Sequence, residues 1–363
     1  MAGIFHEYGR LGQYRFGSGM GSGIFYEEFR KELRGRHGVE VYKEMSENDD
    51  VIGTVLFAIE MLMRQVEWKI EKAGNLDVDA KAAEFIDSCM HDMEDTWTDF
   101  ISECLSFLTF GWSYHEIVYK RRAGSTKSVL TRSKYDDGLI GWRKLPIRSQ
   151  DTLWEWKYDE RDGLLGLIQC APPHYELTLI PLEKALHFKT RSRKSNPEGR
   201  SLLRNAYLDY YHKRRIREIE GIGIERDLAG MPILIPPQGI ELWNSTDPEM
   251  VQQLTMAENL VQRVRRDEME GIVLPYGWDF KLLSTGGNRQ FDTNAVIQRY
   301  DENIAMTMLG DFVFLGRKSV GSYALSADKT ELFGIAMSTF LGLISEVFNR
   351  QAIPKLEPVH TTA

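Results

Sequence analysis

Several things are scarce in this chain of 363 residues, and each scarcity excludes something. Cysteine occurs three times, at Cys89, Cys104 and Cys170, too few and too scattered for a disulfide framework, and the odd count fits a reducing compartment. No run of about 18 uncharged apolar residues occurs, so no transmembrane helix is expected. The opening residues Met1–Arg10 lack the apolar stretch of a signal peptide, and we read the chain as unexported. Basic excess is also missing. The formal net charge is -8, which argues against a protein that coats DNA through a basic surface. It does not argue against one that surrounds moving DNA, because a sliding duplex should not be gripped by its channel.

Catalytic signatures are equally thin. Gly124–Ser128 and Gly316–Ser319 each set a Lys beside Ser after a Gly, but neither has the Gly-x4-Gly-Lys-Ser/Thr spacing that cradles phosphates. There is no Gly-x-Ser-x-Gly elbow between a strand and a helix and no His-Glu-x-x-His pair. Adjacent acids such as Asp136–Asp137 and Asp159–Glu160 read as turns, since neighbours in a strand point to opposite faces. Asp87, His91 and Asp95 share a helix face at four-residue spacing, but a metal needs converging ligands and an ordered outer shell. A solvated face opposite the apolar Phe85, Cys89, Met93 stripe accounts for them as well. No catalytic residue, metal site or cofactor is expected.

What is present is helices followed by short strands, an α+β pattern. Residues 1–24 are Gly-rich and read as a flexible arm. Val51, Val55, Ala58, Met61 and Leu62 recur at helical spacing and predict a helix over 48–72, with Asp49 and Asp50 in its first turn. Phe85 to Phe107 continue the three-and-four spacing through 79–110. From 111 to 195 short β-like runs alternate with turn signals, among them Asp162–Gly163 as a hairpin turn and 186–189 as a strand, with His187 a strand residue.

A long helix is predicted from Ser201 to about Leu228, roughly 42 Å at 1.5 Å per residue. Its middle carries Lys213, Arg214, Arg215 and Arg217, which fit either a solvated face or a helix packed beside copies of itself. A strand at 231–237, a helix opened by Asp247–Pro248 and strands at 272–274 and 280–283 form a small βαββ insertion. A helix capped by Asp292 follows, with Ile297, Tyr300, Ile304 and Met308 on one stripe. Then comes a connection punctuated by Gly310, Gly316 and Gly321, with a basic tip at Arg317 and Lys318 flanked by Ser319 and Ser322. Loops of this length between helices are usually functional or mobile. The last helix, 326–350, is apolar around so much of its circumference that burial on more than one side is expected.

Four segments, in order, resemble a known family. Asp49–Ile59 with Trp68 resembles the opening wing helix of tailed-phage portal proteins. Gly111, Ser113 and Glu116 within Leu108–Ile117 resemble its G-x-S-x-x-E segment. Asn196–Arg204 resembles the entry to its first stem helix. Met306–Ser326, with the Leu309–Gly310 pair and Gly321–Ser326 opening the next helix, resembles the tunnel-loop region of the Mu-like branch.

The resemblance runs over roughly residues 45 to 355. It implies the portal fold: a wing at 25–199, stem helices at 200–228 and 291–309, a clip at 229–290, a tunnel loop at 310–325, and a long helix at 326–363 returning to the wing with a short crown. Mu-like portals continue well past the point matching Ile353–Leu356, so a large crown is not expected. The resemblance further implies a dodecameric homo-oligomer ring at the capsid portal vertex of a virion, assembled in the host cytoplasm. Double-stranded DNA would pass through it, and the terminase large subunit, head-tail connector and major capsid protein would be its partners. Gly316, Arg317, Lys318, Ser319, Gly321 and Ser322 would form the DNA-facing loop, and Lys213, Arg214, Arg215 and Arg217 the charged part of the stem. The alternative that stays open is a metal-dependent nucleic-acid enzyme, a nuclease or nucleotidyltransferase, on a similar α+β scaffold.

Overall fold

The computed structural model describes residues 15–16, 22–25, 28–191, 193–229, 231–239, 243, 246–263, 273–283, 292–310 and 323–356. Of these, 15–16, 22–25, 225–229, 231, 263, 283 and 323–330 are described as backbone only. The architecture is α+β, and the chain divides into two compact units, residues 1–210 with 302–363 and residues 211–301.

The first unit opens with two short strands, β1 (Arg15–Phe16) and β2 (Ser22–Phe25). They are followed by helices α1 (Gly35–Asn48) and α2 (Asp50–Arg64). The expected helix over 48–72 is thus shorter, and Asp49 is its cap, not part of its first turn. The Asp49 carboxylate accepts from the amides of Val51 (3.0 Å) and Ile52 (3.1 Å), satisfying two of the donors a helix start leaves open. Ile52, Val55, Ile59 and Met63 form the buried stripe, and the helix ends where that stripe ends. Helices α3 (Asp77–His91), α4 (Trp97–Cys104) and α5 (Ser106–Phe110) follow. The Thr96 hydroxyl caps α4 by accepting from the Asp99 amide at 3.1 Å.

Strands β3 (Trp112–Glu116), β4 (Val118–Arg121), β5 (Ile140–Lys144), β6 (Leu153–Tyr158), β7 (Leu164–Cys170), β8 (Leu177–Pro181) and β9 (Ala185–Lys189) come next. They do not form one sheet. β3 pairs with β9, β4 with β5, and a five-stranded antiparallel sheet runs β1-β2-β6-β7-β8. The Gly-rich arm is therefore partly structured: Ser22 pairs with Lys157 and Gly23 with Trp156 along the edge of β6. The β6–β7 turn contains Asp162 in the left-handed region, but it is a five-residue loop closed by the Asp159 carboxylate, which accepts from the amides of Arg161 and Gly163.

Two apolar clusters hold this unit. The larger joins α2, α4, α5, β5 and β9 to the ends of α8 (Thr293–Thr307) and α9 (Tyr323–Val347). At its centre the Phe348 ring meets Trp97, Phe100 and Trp142 at centroid distances of 4.8, 5.8 and 5.5 Å, with edge contacts of the kind aromatic quadrupoles favour. The smaller gathers Trp112, Tyr114, Trp156, Tyr158, Leu167 and Ile180 beneath the five-stranded sheet. Among the described residues one helical segment, Glu331–Ala352, is long and apolar enough to cross a membrane by length and composition. Glu331 and Glu346 bound its uncharged stretch, so no uncharged run of about 18 residues results. Phe333, Met337, Ile344 and Phe348 enter the larger cluster, whereas Leu332 and Ile335 on the same helix are 59% and 56% exposed. Burial on more than one side is therefore not met within a single chain.

The second unit holds most of α6 (Tyr207–Ala229), strand β10 (Met231–Ile235), helix α7 (Pro248–Arg263), strand β11 (Asp279–Leu283) and the start of α8. β10 and β11 are antiparallel, Met231 opposite Leu283 and Ile235 opposite Asp279. Val273 and Leu274 lie outside any strand, and Ile272 lies outside the described residues. None of the described residues from 232 to 282 is buried.

Candidate nucleic-acid interface

The basic residues of α6 separate into two kinds. Lys213 is 1% exposed, and its ammonium lies 2.5 Å from Asp301 Oδ1 on α8. Glu220 meets Thr293 on the same two helices, so within the second unit they run antiparallel. The His212 and Tyr300 rings stack at 6.2 Å beside the pair. Lys213 is thus removed from the set of surface charges expected on the stem; it joins two helices. Arg214 and Arg215 are exposed and share Glu218, at 3.2 and 3.6 Å, and Arg217 is exposed.

The expected loop residues Gly316, Arg317, Lys318, Ser319, Gly321 and Ser322 all lie outside the described residues. The root of that loop is described. At the end of α8, Leu309 takes the left-handed conformation (φ 57°) and the Gly310 amide donates back to the Ala305 carbonyl at 2.7 Å. This is the six-to-one bond of a Schellman ending, with Leu where Gly is usual. Gly310 matters for a different reason than backbone freedom. A Cβ there would lie 2.4 Å from Val55 Cγ2, so the glycine lets the loop root press against α2.

Two segments singled out by resemblance meet in the fold. Gly111 ends α5 in the left-handed region (φ 93°), and Gly199 (φ 59°) lies against it. The Thr190 hydroxyl donates to the Gly111 and Arg200 carbonyls at 3.2 and 2.6 Å and accepts from the Arg200 amide at 3.0 Å. The Ser201 hydroxyl donates to the Thr109 carbonyl. These bonds pin Thr190, Arg200 and Ser201 to the turn after α5.

Two histidines are buried on the paired strands β3 and β9. His187 on β9 has Nε2 2.8 Å from the Pro197 carbonyl, and His115 on β3 has Nδ1 2.9 Å from the Leu145 carbonyl. A carbonyl only accepts, so those nitrogens carry the protons. Burial holds both rings neutral, His187 down to about 3 and His115 to about 4. Burial pushes the Glu198 carboxyl up to about 7, opposed by a 3.3 Å hydrogen bond from the Trp156 indole.

Elsewhere, His91 Nδ1 lies 2.9 Å from the Asp87 carbonyl oxygen of its own helix. Among the described residues no group of three or more His, Cys, Asp or Glu is placed to hold a metal. Sequence reasoning passed over Asp92. Its buried carboxylate takes the Lys120 ammonium at 3.0 Å, the Ser133 hydroxyl at 2.6 Å and the Lys134 amide at 2.8 Å, which together hold its pKa below the usual range against the opposing effect of burial. Those partners are 28 to 42 residues away in the chain, so no local pattern announces them.

The fold has counterparts of known structure. A chain in the virion of a native gene transfer agent particle superposes with a TM-score of 0.57 at 11% identity, covering 92% of this chain and 82% of that one. A chain in the neck of the empty gene transfer agent particle, computed with C6 symmetry, gives 0.51 at 11% identity, covering 83% and 76%. At such identity the likeness is one of fold. The family follows from the sequence: residues 39–360 match the portal protein of Mu bacteriophage, and the chain belongs to that family of portal proteins. The family is structural, and the alternative of a metal-dependent nucleic-acid enzyme finds no support in either comparison.

Proposed function

We propose that this portal protein assembles into a dodecameric ring whose axial channel passes double-stranded DNA during packaging, retention and ejection. The observation that carries this is the absence of any buried residue among those described from 232 to 282, although this stretch contains two paired strands and a helix. So little interior among the described residues of this stretch calls for burial against neighbours. Leu332 and Ile335 on α9, and Tyr211, Ile219 and Ile222 on α6, are exposed in the single chain. Full burial contributes about 1.5–3 kcal/mol for each such aliphatic side chain. Contacts between successive copies around a ring would supply that burial.

In this reading residues 25–199 are the wing, 200–228 and 291–309 the stem, 229–290 the clip and 310–325 the tunnel loop. The clip meets the terminase large subunit and later the head-tail connector, and the wing meets the major capsid protein. The ring sits at the portal vertex of the virion after assembly in the host cytoplasm, and it has no catalytic activity of its own. Twelve copies would carry a charge on the order of -100, which repels phosphate and leaves the duplex free to slide. Arg317 and Lys318 would then supply the weak, salt-sensitive contacts that steady it.

Electron-microscopy class averages of purified protein test the ring, whose mass should be on the order of several hundred kilodaltons. A monodisperse monomer or dimer at micromolar concentration across a range of salt would overturn it. Replacing Arg317 and Lys318 together by Ser should leave the ring intact and reduce packaging or retention of DNA. Normal packaging and retention would remove the loop from the assignment.

A further inference from the structure

A cavity of about 460 Å³ opens beside Thr190 and Arg200, entirely within the first unit. That is within the usual size of small-ligand sites, about 300–1,000 Å³. Five arginines line it: Arg34, Arg191, Arg193, Arg200 and Arg204. In a chain with a net charge of -8, five guanidinium groups around one cavity are a strong local reversal of sign.

The arginines are not equally engaged. Arg204 forms a two-pronged pair with the Glu28 carboxylate, Nε and one terminal nitrogen each at 2.5 Å, so its charge is neutralised. Arg34 is committed to the same segment, donating to the backbone carbonyls of Glu28 (2.6 Å) and Phe29 (3.3 Å). Arg200 donates to the Asn205 side-chain oxygen at 2.7 Å, a neutral acceptor, and no carboxylate forms an ion pair with it, although its charge also acts on Glu28 from a distance. Arg191 and Arg193 are exposed, and among the described residues neither guanidinium group makes a hydrogen bond or ion pair; the Arg193 carbonyl accepts from the Asn196 amide at 3.0 Å. The other carboxyl in the lining, Glu198, is occupied by the Trp156 indole, and burial favours its neutral form. Arg191, Arg193 and Arg200 therefore offer positive charge to the cavity beside two carboxyls, Glu28, which stays ionised against Arg204, and Glu198, which burial biases toward protonation.

Bonds among Thr190, Gly111, Arg200, Ser201 and Thr109 hold the backbone next to Arg191 and at Arg200. Leu33, Tyr42 and Phe110 supply an apolar wall, which lowers the local dielectric and strengthens any charge-assisted bond made inside. Guanidinium forks arranged around a common space match the oxygens of a tetrahedral oxyanion better than a halide, because each fork donates two parallel N–H bonds.

We propose that this arginine-lined cavity is a binding site for a phosphate group. Phosphate on a nucleic-acid backbone and free phosphate share this chemistry, and the site takes one of them. The inference rests on the cavity alone and not on the ring reading.

The test uses the full chain. Sodium phosphate is titrated calorimetrically against sodium chloride at matched ionic strength, and a fluorescent 20-base-pair duplex is followed by anisotropy. The parent should bind phosphate saturably, with no equivalent chloride signal. The double variant Arg191→Ser, Arg193→Ser should bind phosphate at least fivefold more weakly while keeping its circular dichroism. If its affinity for the duplex falls as well, the phosphodiester backbone is the source. If only phosphate binding falls, the ligand is the free ion. Phosphate acting no differently from chloride on the parent would overturn the proposal without any variant, and so would a folded double variant that keeps the parent's phosphate affinity.

Discussion

Gly111 and Gly199 lie against each other with both backbones in the left-handed region, so close that a Cβ built on Gly199 would sit 2.2 Å from the Gly111 carbonyl oxygen. A Cβ on Gly111 would in turn sit 2.6 Å from the Glu198 carbonyl oxygen. Both obstacles are backbone atoms, which cannot swing aside.

Each of Gly111→Ala and Gly199→Ala should therefore cost more than the left-handed penalty alone, about 1–2 kcal/mol, and together they should fall short of additive. Residues in contact share whatever backbone shift relieves them. Chemical denaturation of the two single variants and the double measures this. Additive losses, or single losses below about 0.5 kcal/mol, would contradict the close approach.

Lys213 and Arg215 are two positions apart in sequence, and their substitutions should differ sharply. Lys213→Met strands a mostly buried Asp301 carboxylate. Breaking a fully buried pair costs about 3–5 kcal/mol, and the partial exposure of Asp301 reduces this to about 2–3 kcal/mol. Arg215→Ser removes an exposed 3.6 Å contact to Glu218 and should change stability by less than about 0.5 kcal/mol. Equal effects would mean that Lys213 is not the buried member.

The pH dependence of stability carries a specific signature. His115 and His187 have folded-state pKa values lowered to about 4 and about 3 from 6.5, so between those values and 6.5 the unfolded chain holds more protons and stability falls as pH falls. Glu198 works the other way. Its folded-state value, raised to about 7 from 4.5, means the native state holds the extra proton between these, so its contribution is present at low pH and lost as pH rises through about 7. Near pH 5.5 these three groups together should give unfolding a net uptake of about one proton. Glu198→Gln keeps an acceptor for Trp156 and removes the opposing titration, so uptake should approach about two protons and stability at pH 8 should rise. An unchanged slope of unfolding free energy against pH would show that Glu198 does not titrate there.

These expectations rest on contacts of very different legibility. Helices α2 to α5 and α9 were readable because apolar residues repeat at three and four, and that repeat reflects one chain's own core. Helix α1 carries the same signal in Val39, Tyr42 and Met45, all buried, but the glycines at 35 and 38 and the alternating Val39 and Val41 masked it. Most strands between 111 and 195 are readable, but β1 and β2 in the Gly-rich arm are not, the strand expected at 272–274 does not form at Val273 and Leu274, and the division into separate sheets has no local signal. Trp112 pairs with Lys189 and Ser22 with Lys157, partners that no local pattern specifies. The basic run from Lys213 to Arg217 looks uniform in sequence, and only Asp301 on another helix distinguishes its first member. Conversely, the exposed Leu332 and Ile335 follow a pattern that anticipates surfaces a single chain does not cover.

Gly310 is required by packing and not by backbone freedom. As one of three glycines in a basic connection it reads as a source of backbone freedom. In the fold the left-handed residue is its neighbour Leu309, and Gly310 is small because Val55 Cγ2 and Cγ1 would stand 2.4 and 2.9 Å from a Cβ at that position. Val55 is fully buried on α2, so it has little room to retreat. Gly310→Ala should therefore lower stability by about 1–3 kcal/mol through overpacking. The obstacle is a side chain, so removing it should restore the fit. Val55→Ala alone leaves a cavity and costs stability, whereas in the Gly310→Ala background it should cost at least about 1 kcal/mol less, a favourable coupling read from the double-mutant cycle. Leu309→Gly should stabilise instead, by relieving a left-handed side chain without touching Val55. If Gly310→Ala is neutral, or if its cost is the same with Val55 and with Val55→Ala, the root of the basic connection is not packed against α2.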